Sequence, residues 1–193
     1  PIGKPGEIAA AQNLAYLIAN FEGKEKLDHW GANAALVITV VILHLIYAHY
    51  ADPKNYPNFP SLYTVAAFLK SNVVPKLDEE GRPVQKTVDG VITDEVDAKG
   101  FLDTLRGLRD FEHVPDGGIE IREWSKEKRA YVTRHFDARD LKAIYPQAQS
   151  IERMPHTHPI IYQNFIEILS KPDNECGSII STANTALKEY LDP

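Results

Sequence analysis

One stretch of the chain limits its possible folds more than any other. "DHWGANAALVITVVILHLIYAHYADP" runs from Asp28 to Pro53, and between Ala34 and Leu43 only Thr39 is polar. A helix that is apolar on nearly every side must be surrounded by lipid or by other parts of a protein. A transmembrane helix needs about 20 mostly apolar residues, and the unbroken apolar run here is about half that length. We therefore predict the central helix of a soluble core, with no direct membrane insertion.

The composition agrees with a globular protein. The chain has 193 residues, of which 44% are hydrophobic and 25% are charged, a typical globular mixture. Its single cysteine, Cys176, cannot form an internal disulfide, which is consistent with a reducing compartment. The first residues, "PIGKPGE", lack the basic and apolar regions of a signal peptide, and we interpret them as the cut edge of a larger protein. The net charge of -6 disfavours a broad nucleic-acid footprint but allows a local basic patch.

Four segments besides the apolar stretch have helical periodicity. They are "GEIAAAQNLAYLIANF", "PSLYTVAAFLK", "HPIIYQNFIEILSKP" and "DNECGSIISTANTALKEYLDP". Asp28 is the predicted N-cap of the apolar helix and Ser61 that of the second segment, while Pro159 suits a first helical position. The predicted fold class is mainly α: a single domain, 1–193, with a helical bundle formed by 5–71 and 155–192.

The middle of the chain, 72–150, has a different character. Two Val-rich arms flank Asp89-Gly90 in "VQKTVDGVITDEV", which predicts a two-residue β-hairpin. "HVPDGGIEIREW" contains another turn followed by a short alternating run, and "DARDLKAIYPQ" indicates a short helix. Phe101, Leu105 and Leu108 mark a further helix between them. We predict that 72–150 is an inserted α+β segment.

The residues offer little for catalysis or for binding a cofactor or metal. There is no G-x-x-x-x-G-K-[ST] loop, no G-x-S-x-G and no H-E-x-x-H, and such motifs depend on fixed spacing. His44 and His49 are five residues apart and do not share a helix face, so His44 is interpreted as a satisfied core or groove residue. His156 and His158 are flanked by prolines and have no acidic or cysteine partner at zinc-site spacing. We expect no catalytic residue, no cofactor and no metal in this chain.

The stretch "REWSKEKRAYVTRHFDARDLK", from Arg122 to Lys142, is the candidate binding region. It carries seven basic and four acidic residues, a net charge of +3, which leaves -9 for the rest of the chain. Aromatic residues interleave with the basic ones, a composition that suits single-stranded nucleic acid. A solvated, ion-paired surface is the open alternative. The candidate contacts to nucleic acid or protein cargo are Arg122, Trp124, Lys126, Lys128, Arg129, Tyr131 and Arg134.

Two segments carry a resemblance to a known family. "AQNLAYLIANFEGKEKLDHWGANAALVITVVILHLIYAHYADPKNYPNFPSLYTVAAFLK" resembles the all-alpha domain of VirD4/TraG-type coupling proteins, and "DNECGSIISTANTALKEYLDP" is similar to the closing helix of that domain. "HPIIYQNFIEILSK" fits the same region. Together these segments cover a little over half of the chain in the family's order. The 72–150 segment is longer and more β-like than the family core, and Cys176 stands where a polar or basic residue is expected.

Coupling proteins are ATPases that feed DNA–relaxase complexes or effector proteins into type IV secretion channels. The resemblance implies an excised cytoplasmic domain of a bacterial inner-membrane protein, which recognises transfer DNA, relaxase or effector protein and contacts the parent ATPase domain and other secretion subunits. The family's phosphate-binding loop and membrane anchor are not in this chain, so we expect no ATPase activity. A structural adaptor that docks on other secretion subunits without binding DNA, and a small enzyme of unknown type, are the alternatives.

Overall fold

The computed structural model describes residues 2–71, 74–75, 78–88, 91–94, 96–146 and 156–191. Within these ranges the chain is mainly α, with seven helices and three two-stranded antiparallel sheets. The helices are α1 (Glu7–Ala19), α2 (His29–Ala51), α3 (Leu62–Ser71), α4 (Ala98–Arg109), α5 (Ala138–Ile144), α6 (Pro159–Leu169) and α7 (Asp173–Leu191). The strands are β1 (Val74–Pro75), β2 (Gln85–Val88), β3 (Val91–Asp94), β4 (Val96–Asp97), β5 (Ile119–Ser125) and β6 (Ala130–Phe136). The sheets pair β1 with β4, β2 with β3 and β5 with β6.

The apolar stretch forms α2, whose ends agree with the sequence. The Asp28 side chain accepts a hydrogen bond of 2.8 Å from the backbone N–H of Gly31, as an N-cap should, and the helix ends before Asp52 and Pro53. Among the described helices only α2 is long and apolar enough to cross a membrane, and 72% of its most apolar window is buried inside the fold. It packs against α1, α3, α6 and α7, so protein side chains cover the faces that would otherwise need lipid.

The core around α2 is formed by helices from both ends of the chain. We use "helical core" for the buried apolar cluster that α1, α2, α3, α4, α6 and α7 share. Leu105 and Leu108 of α4 belong to it, so a helix from the 72–150 segment packs with helices on either side of it in sequence. Each fully buried Val, Leu or Ile stabilises the fold by roughly 1.5–3 kcal/mol, and α2 supplies a continuous buried run from Val37 to Leu45.

A second, smaller apolar cluster lies beyond the C-terminal half of α2. This "hairpin core" consists of Tyr47, Val114, Ile119, Ile121, Phe136 and Leu141. It joins the inner side of the β5–β6 hairpin to α5 and to α2. Two glycines allow this packing: Gly3, with φ 59°, lies against the Phe136 ring, and Gly118, with φ 73°, has no room for a Cβ because it would stand 2.6 Å from the Phe136 carbonyl oxygen.

Most local predictions are confirmed by the structure. Helices are present in all five predicted bundle segments, and the short helix after Asp137 is α5, which begins with a capping box of Asp137 and Asp140. The predicted hairpin is present, because β2 pairs with β3 and Val88 faces Val91. Its turn residues, Asp89 and Gly90, lie outside the described residues. The alternating run after the second turn is β5, but its partner β6 falls inside the stretch for which the sequence indicated only basic and aromatic character.

Candidate nucleic-acid interface and buried histidine network

The alternation of β5 and β6 separates the candidate binding residues into two faces. Side chains alternate across a strand, so Ile119 and Ile121 point to the hairpin core while their neighbours point to solvent. We call the solvent side the outer hairpin face. It consists of three cross-strand pairs, Glu120 with His135, Arg122 with Thr133 and Trp124 with Tyr131.

Two large aromatic rings are exposed on this face. Trp124 is 55% exposed and Tyr131 is 61% exposed, although aromatic residues of this size usually bury most of their surface. The ring centroids are 5.3 Å apart and the planes meet at 74°. The Arg122 guanidinium lies 4.8 Å from the centroid of the Tyr131 ring, a cation–π distance. Arg122 therefore covers one face of Tyr131, while no cationic side chain of the described chain lies over the Trp124 ring.

The turn between the strands adds charge beside the aromatic pair. This "basic turn" is Lys126, Glu127, Lys128 and Arg129, all exposed. Its conformation is held by the Lys128 backbone N–H, which donates to the Ser125 hydroxyl over 3.1 Å, and Arg129 adopts a positive φ of 48°. Among the described residues no ion pair involves Lys126, Lys128 or Arg129. Their charges are therefore available to a phosphate.

Arg134 does not join this surface. Its side chain lies on the opposite side of the hairpin, where it donates to the Ile2 carbonyl over 2.8 Å and approaches Glu123 at 3.8 Å. The guanidinium also lies 5.4 Å from the centroid of the Phe136 ring. These contacts, together with the 2.7 Å ion pair between Lys4 and Glu123, tie the N-terminal segment to the hairpin. Six of the seven candidate contacts are thus brought together, and Arg134 has a structural role.

A buried polar network under the hairpin was not predicted from the sequence. Its centre is Glu7, which is only 4% exposed. The carboxylate accepts hydrogen bonds from the Gly3 backbone N–H at 2.6 Å, from Tyr47 at 2.9 Å and from Tyr145, and it lies 3.3 Å from His158 Nε2. Burial alone would raise the pKa of Glu7, but the hydrogen bonds from His158, Tyr145 and Gly3 outweigh it and lower that pKa. Burial and the Glu7 charge in turn raise the pKa of Tyr47.

A line of histidines continues from this carboxylate. His113 Nδ1 accepts from the backbone N–H of His158 at 3.2 Å, so in the neutral ring its proton must be on Nε2. That Nε2 is 3.1 Å from His44 Nδ1, which is therefore the acceptor. His44 then carries its proton on Nε2, 3.5 Å from the Tyr56 hydroxyl. Burial lowers the pKa of His44 to about 3 and that of His113 well below its usual value, so both rings are neutral at pH 7.

The polar groups of the network are bonded mainly to one another. The described residues contain no group of three or more potential ligands placed to hold a metal ion. The His156 ring is hydrogen-bonded to the Val114 carbonyl at 2.9 Å and lies 3.2 Å from the Asp116 carboxylate. Of the buried side-chain nitrogen and oxygen atoms of the network, only His158 Nδ1 lacks a hydrogen-bond partner in the described chain. The network is therefore satisfied almost entirely within the protein.

Two other features of the described chain are the cysteine thiol and a surface cleft. Cys176 is buried, its thiol donates to the Ile168 carbonyl over 3.2 Å, and burial raises its pKa, so the thiolate that a nucleophile needs is disfavoured. An open cleft of about 350 Å³ lies between the end of α1, the start of α2 and α7, and is lined in part by Phe21, Trp30 and Thr182. It contains none of the candidate contacts.

No family model, curated protein or solved structure matches the chain. Any functional statement therefore depends on the residues and their geometry.

One sequence signal for the buried network does exist, because Glu7 occupies the apolar face of α1, one turn before Ala11. A carboxylate in such a position requires buried partners, but the sequence does not identify them.

Proposed function

We propose that the chain is a substrate-recognition domain of the type IV secretion coupling-protein kind, and that it contacts single-stranded DNA through the outer hairpin face and the basic turn. In this proposal the helices within 5–71 and 155–192 form the bundle of an all-alpha domain, and the segment 72–150 is the insertion that carries the contact surface. The parent protein is an ATPase at the cytoplasmic face of a bacterial inner membrane. Relaxase or effector protein bound to the same cargo would be the further partner.

One observation carries the DNA-binding part of the proposal. Trp124 and Tyr131 form an exposed cross-strand pair, flanked on one side by Arg122 and on the other by three basic side chains that have no ion-pair partner in the described chain. Single-strand binding surfaces combine stacking rings with positive charge along the backbone path. The short distance along the hairpin from the rings to the basic turn places both elements on one continuous surface.

The charges of the basic turn should supply the salt-dependent part of the affinity. We predict that Lys126→Ala, Lys128→Ala and Arg129→Ala together weaken binding of an oligothymidylate and flatten its salt dependence. Each phosphate contact on a single strand contributes about 0.7 to the slope of log affinity against log salt, so loss of three contacts should lower that slope by about two. Fluorescence anisotropy at several salt concentrations measures both quantities. The melting temperature should hardly change, because exposed charges contribute little to stability.

The two aromatic rings should contribute unequally to the affinity for single-stranded DNA. We predict that Trp124→Ala weakens oligothymidylate binding about 5- to 150-fold, since one stacked base contributes about 1–3 kcal/mol. Tyr131→Ala should have a smaller effect, because Arg122 already covers one face of that ring. Anisotropy titrations at one salt concentration compare the two variants, and Arg139→Ala, which removes a basic residue outside this surface, is the matched control. If the chain without substitutions binds no single-stranded DNA at low salt, the result favours the adaptor alternative. In that alternative the acidic remainder of the chain docks on other secretion subunits.

A further inference from the structure

We propose that His44 and His113 form a proton-operated latch, which holds the hairpin unit, residues 111–146, on the helical core and releases it when the two rings become protonated. The inference concerns the chain itself and holds whatever ligand the outer hairpin face binds. It begins with the position of the two rings at the boundary between the two apolar clusters. His44 is on α2 between Leu43 and Leu45 of the helical core and one turn before Tyr47 of the hairpin core, and His113 directly precedes Val114 of the hairpin core.

The boundary is polar on the hairpin side and aromatic around His44. The ring of His44 contacts Tyr56, Phe68 and Phe111, with centroid distances of 5.7, 5.8 and 5.0 Å. The ring of His113 contacts Phe111, Tyr47 and His158. Among these neighbours only Tyr47, Tyr56 and His158 are titratable, and the Glu7 carboxylate hydrogen-bonds His158 and Tyr47. No acidic side chain in the described chain makes an ion pair with His44 or His113.

The direction of the hydrogen bonds explains why a proton would open this boundary. In the neutral state His113 Nδ1 and His44 Nδ1 are both acceptors, the first from the His158 backbone N–H and the second from His113 Nε2. These two nitrogens are the only positions at which the pair can take up protons. A proton on His113 Nδ1 faces the His158 N–H, and a proton on His44 Nδ1 faces the His113 N–H. Each protonation therefore replaces a hydrogen bond by two opposed donors around a buried charge.

The contacts of the hairpin unit allow it to separate from the helical core while the helices stay folded. From α2 the hairpin core contains Tyr47, with partly buried Tyr50 and Ala51 beside it. The other links of the hairpin unit include separate polar contacts: Tyr145 donates to Glu7, Arg134 donates to the Ile2 carbonyl, and Lys4 pairs with Glu123. Two loops also meet, with Val114 N–H to the His156 carbonyl at 2.9 Å and the Thr157 hydroxyl to the Phe111 carbonyl at 3.0 Å. The helical core, by contrast, has its own buried cluster spread over six helices. Units with separate cores can open below the global unfolding transition.

The number of protons that the two rings take up determines how steeply the opening of the hairpin unit depends on pH. Stability is lost as pH falls below the usual histidine pKa of 6.5, because the open state then binds protons that the closed state excludes. With two rings, the opening constant should rise about 100-fold for each unit of pH between about pH 6 and pH 4. With one ring it should rise about 10-fold.

Hydrogen exchange on the whole chain tests the latch. Rates are measured by mass spectrometry from about pH 7 to pH 4 and corrected for the intrinsic pH dependence of exchange. We expect corrected exchange of the β5 and β6 amides to rise about 100-fold per pH unit while the amides of α7 remain protected. Unchanged hairpin protection would overturn the proposal. So would loss of protection in α7 and the hairpin at the same pH, because that result is ordinary global unfolding.

Two variants identify the titrating groups. His113→Asn keeps an acceptor for the His158 N–H, and His44→Asn keeps one for His113 Nε2, so either should reduce the rise to about 10-fold per pH unit. His135, which is on the same hairpin but 54% exposed and paired with Glu120, provides the control His135→Asn with the parent slope. If His113→Asn and His44→Asn both keep the rise in exchange per pH unit of the unsubstituted chain, other groups control the opening. If neither variant folds, the parent measurement still decides whether the hairpin opens separately and with two protons.

Discussion

Val41→Asp should prevent the chain from folding. Val41 is fully buried at the centre of α2. The helix contains neither Lys nor Arg to pair with a new carboxylate, and burial keeps His44, three residues further on, neutral at pH 7. An uncompensated buried charge costs several kcal/mol, while a domain of this size is stable by about 5–15 kcal/mol in total. Loss of the cooperative thermal transition in circular dichroism at pH 7 is the expected result.

The matched control is Ala32→Asp on the same helix. Ala32 is exposed near the α2 N-terminus, where the helix dipole favours a negative side chain. Its melting temperature should remain close to that of the parent, because exposed substitutions usually change stability by less than about 0.5 kcal/mol. If Val41→Asp also melts close to the parent, α2 does not occupy the centre of the folded protein in solution.

The helices were predictable because each carries its own signal. In α1, Ala11, Ala15 and Ile18 recur with helical spacing and are all buried. Pro159 begins α6, as its fixed φ and missing N–H favour. These signals are local in sequence, and the packing of the helices does not override them. The position of α2 followed from a single physical requirement, namely that its apolar surface must be covered.

The outer hairpin face and the basic turn were predictable in composition but not in arrangement. The sequence showed basic and aromatic residues together from Arg122 to Lys142, yet the assignment of each residue to a face depends on the register of β5 and β6. Trp124 and Tyr131 are seven residues apart and become direct cross-strand neighbours only through that register. The same alternation puts Arg134 on the inner side. The register of a hairpin depends on its turn as well as on both strands, so the sequence of one strand cannot specify it.

The buried network was least predictable because its members are far apart in the chain. Glu7, His44, His113 and His158 come from four separate segments. Each histidine considered alone agrees with an ordinary core or loop residue, and the expectation that His44 would be a satisfied core residue is confirmed by its two ring hydrogen bonds. The tautomers are fixed only when all the partners are known.

Replacement of the carboxylate at the centre of that network should have the second largest effect on stability. Glu7→Leu leaves the Gly3 N–H and the hydroxyls of Tyr47 and Tyr145 without an acceptor, and it removes the partner of His158 Nε2. Each unsatisfied buried donor costs about 1–3 kcal/mol, and the broken network as a whole should cost about 3–5 kcal/mol. Urea denaturation at pH 7 measures the loss as a lower midpoint.

The amide variant separates the hydrogen bonds of Glu7 from its charge. Glu7→Gln has nearly the same shape and still offers one acceptor oxygen, so it should lose less stability than Glu7→Leu. Because the folded protein lowers the pKa of Glu7, the contribution of its charge is complete above the usual pKa of 4.5 and disappears as pH falls through the folded value; measurements at pH 7 therefore report it in full. Glu120→Gln, which changes a carboxylate that is 61% exposed, is the control and should remain within about 0.5 kcal/mol of the parent. Equal midpoints for Glu7→Leu and Glu120→Gln would mean that the donors around Glu7 find water in its absence, and that the network does not hold the hairpin core against α1 and α2.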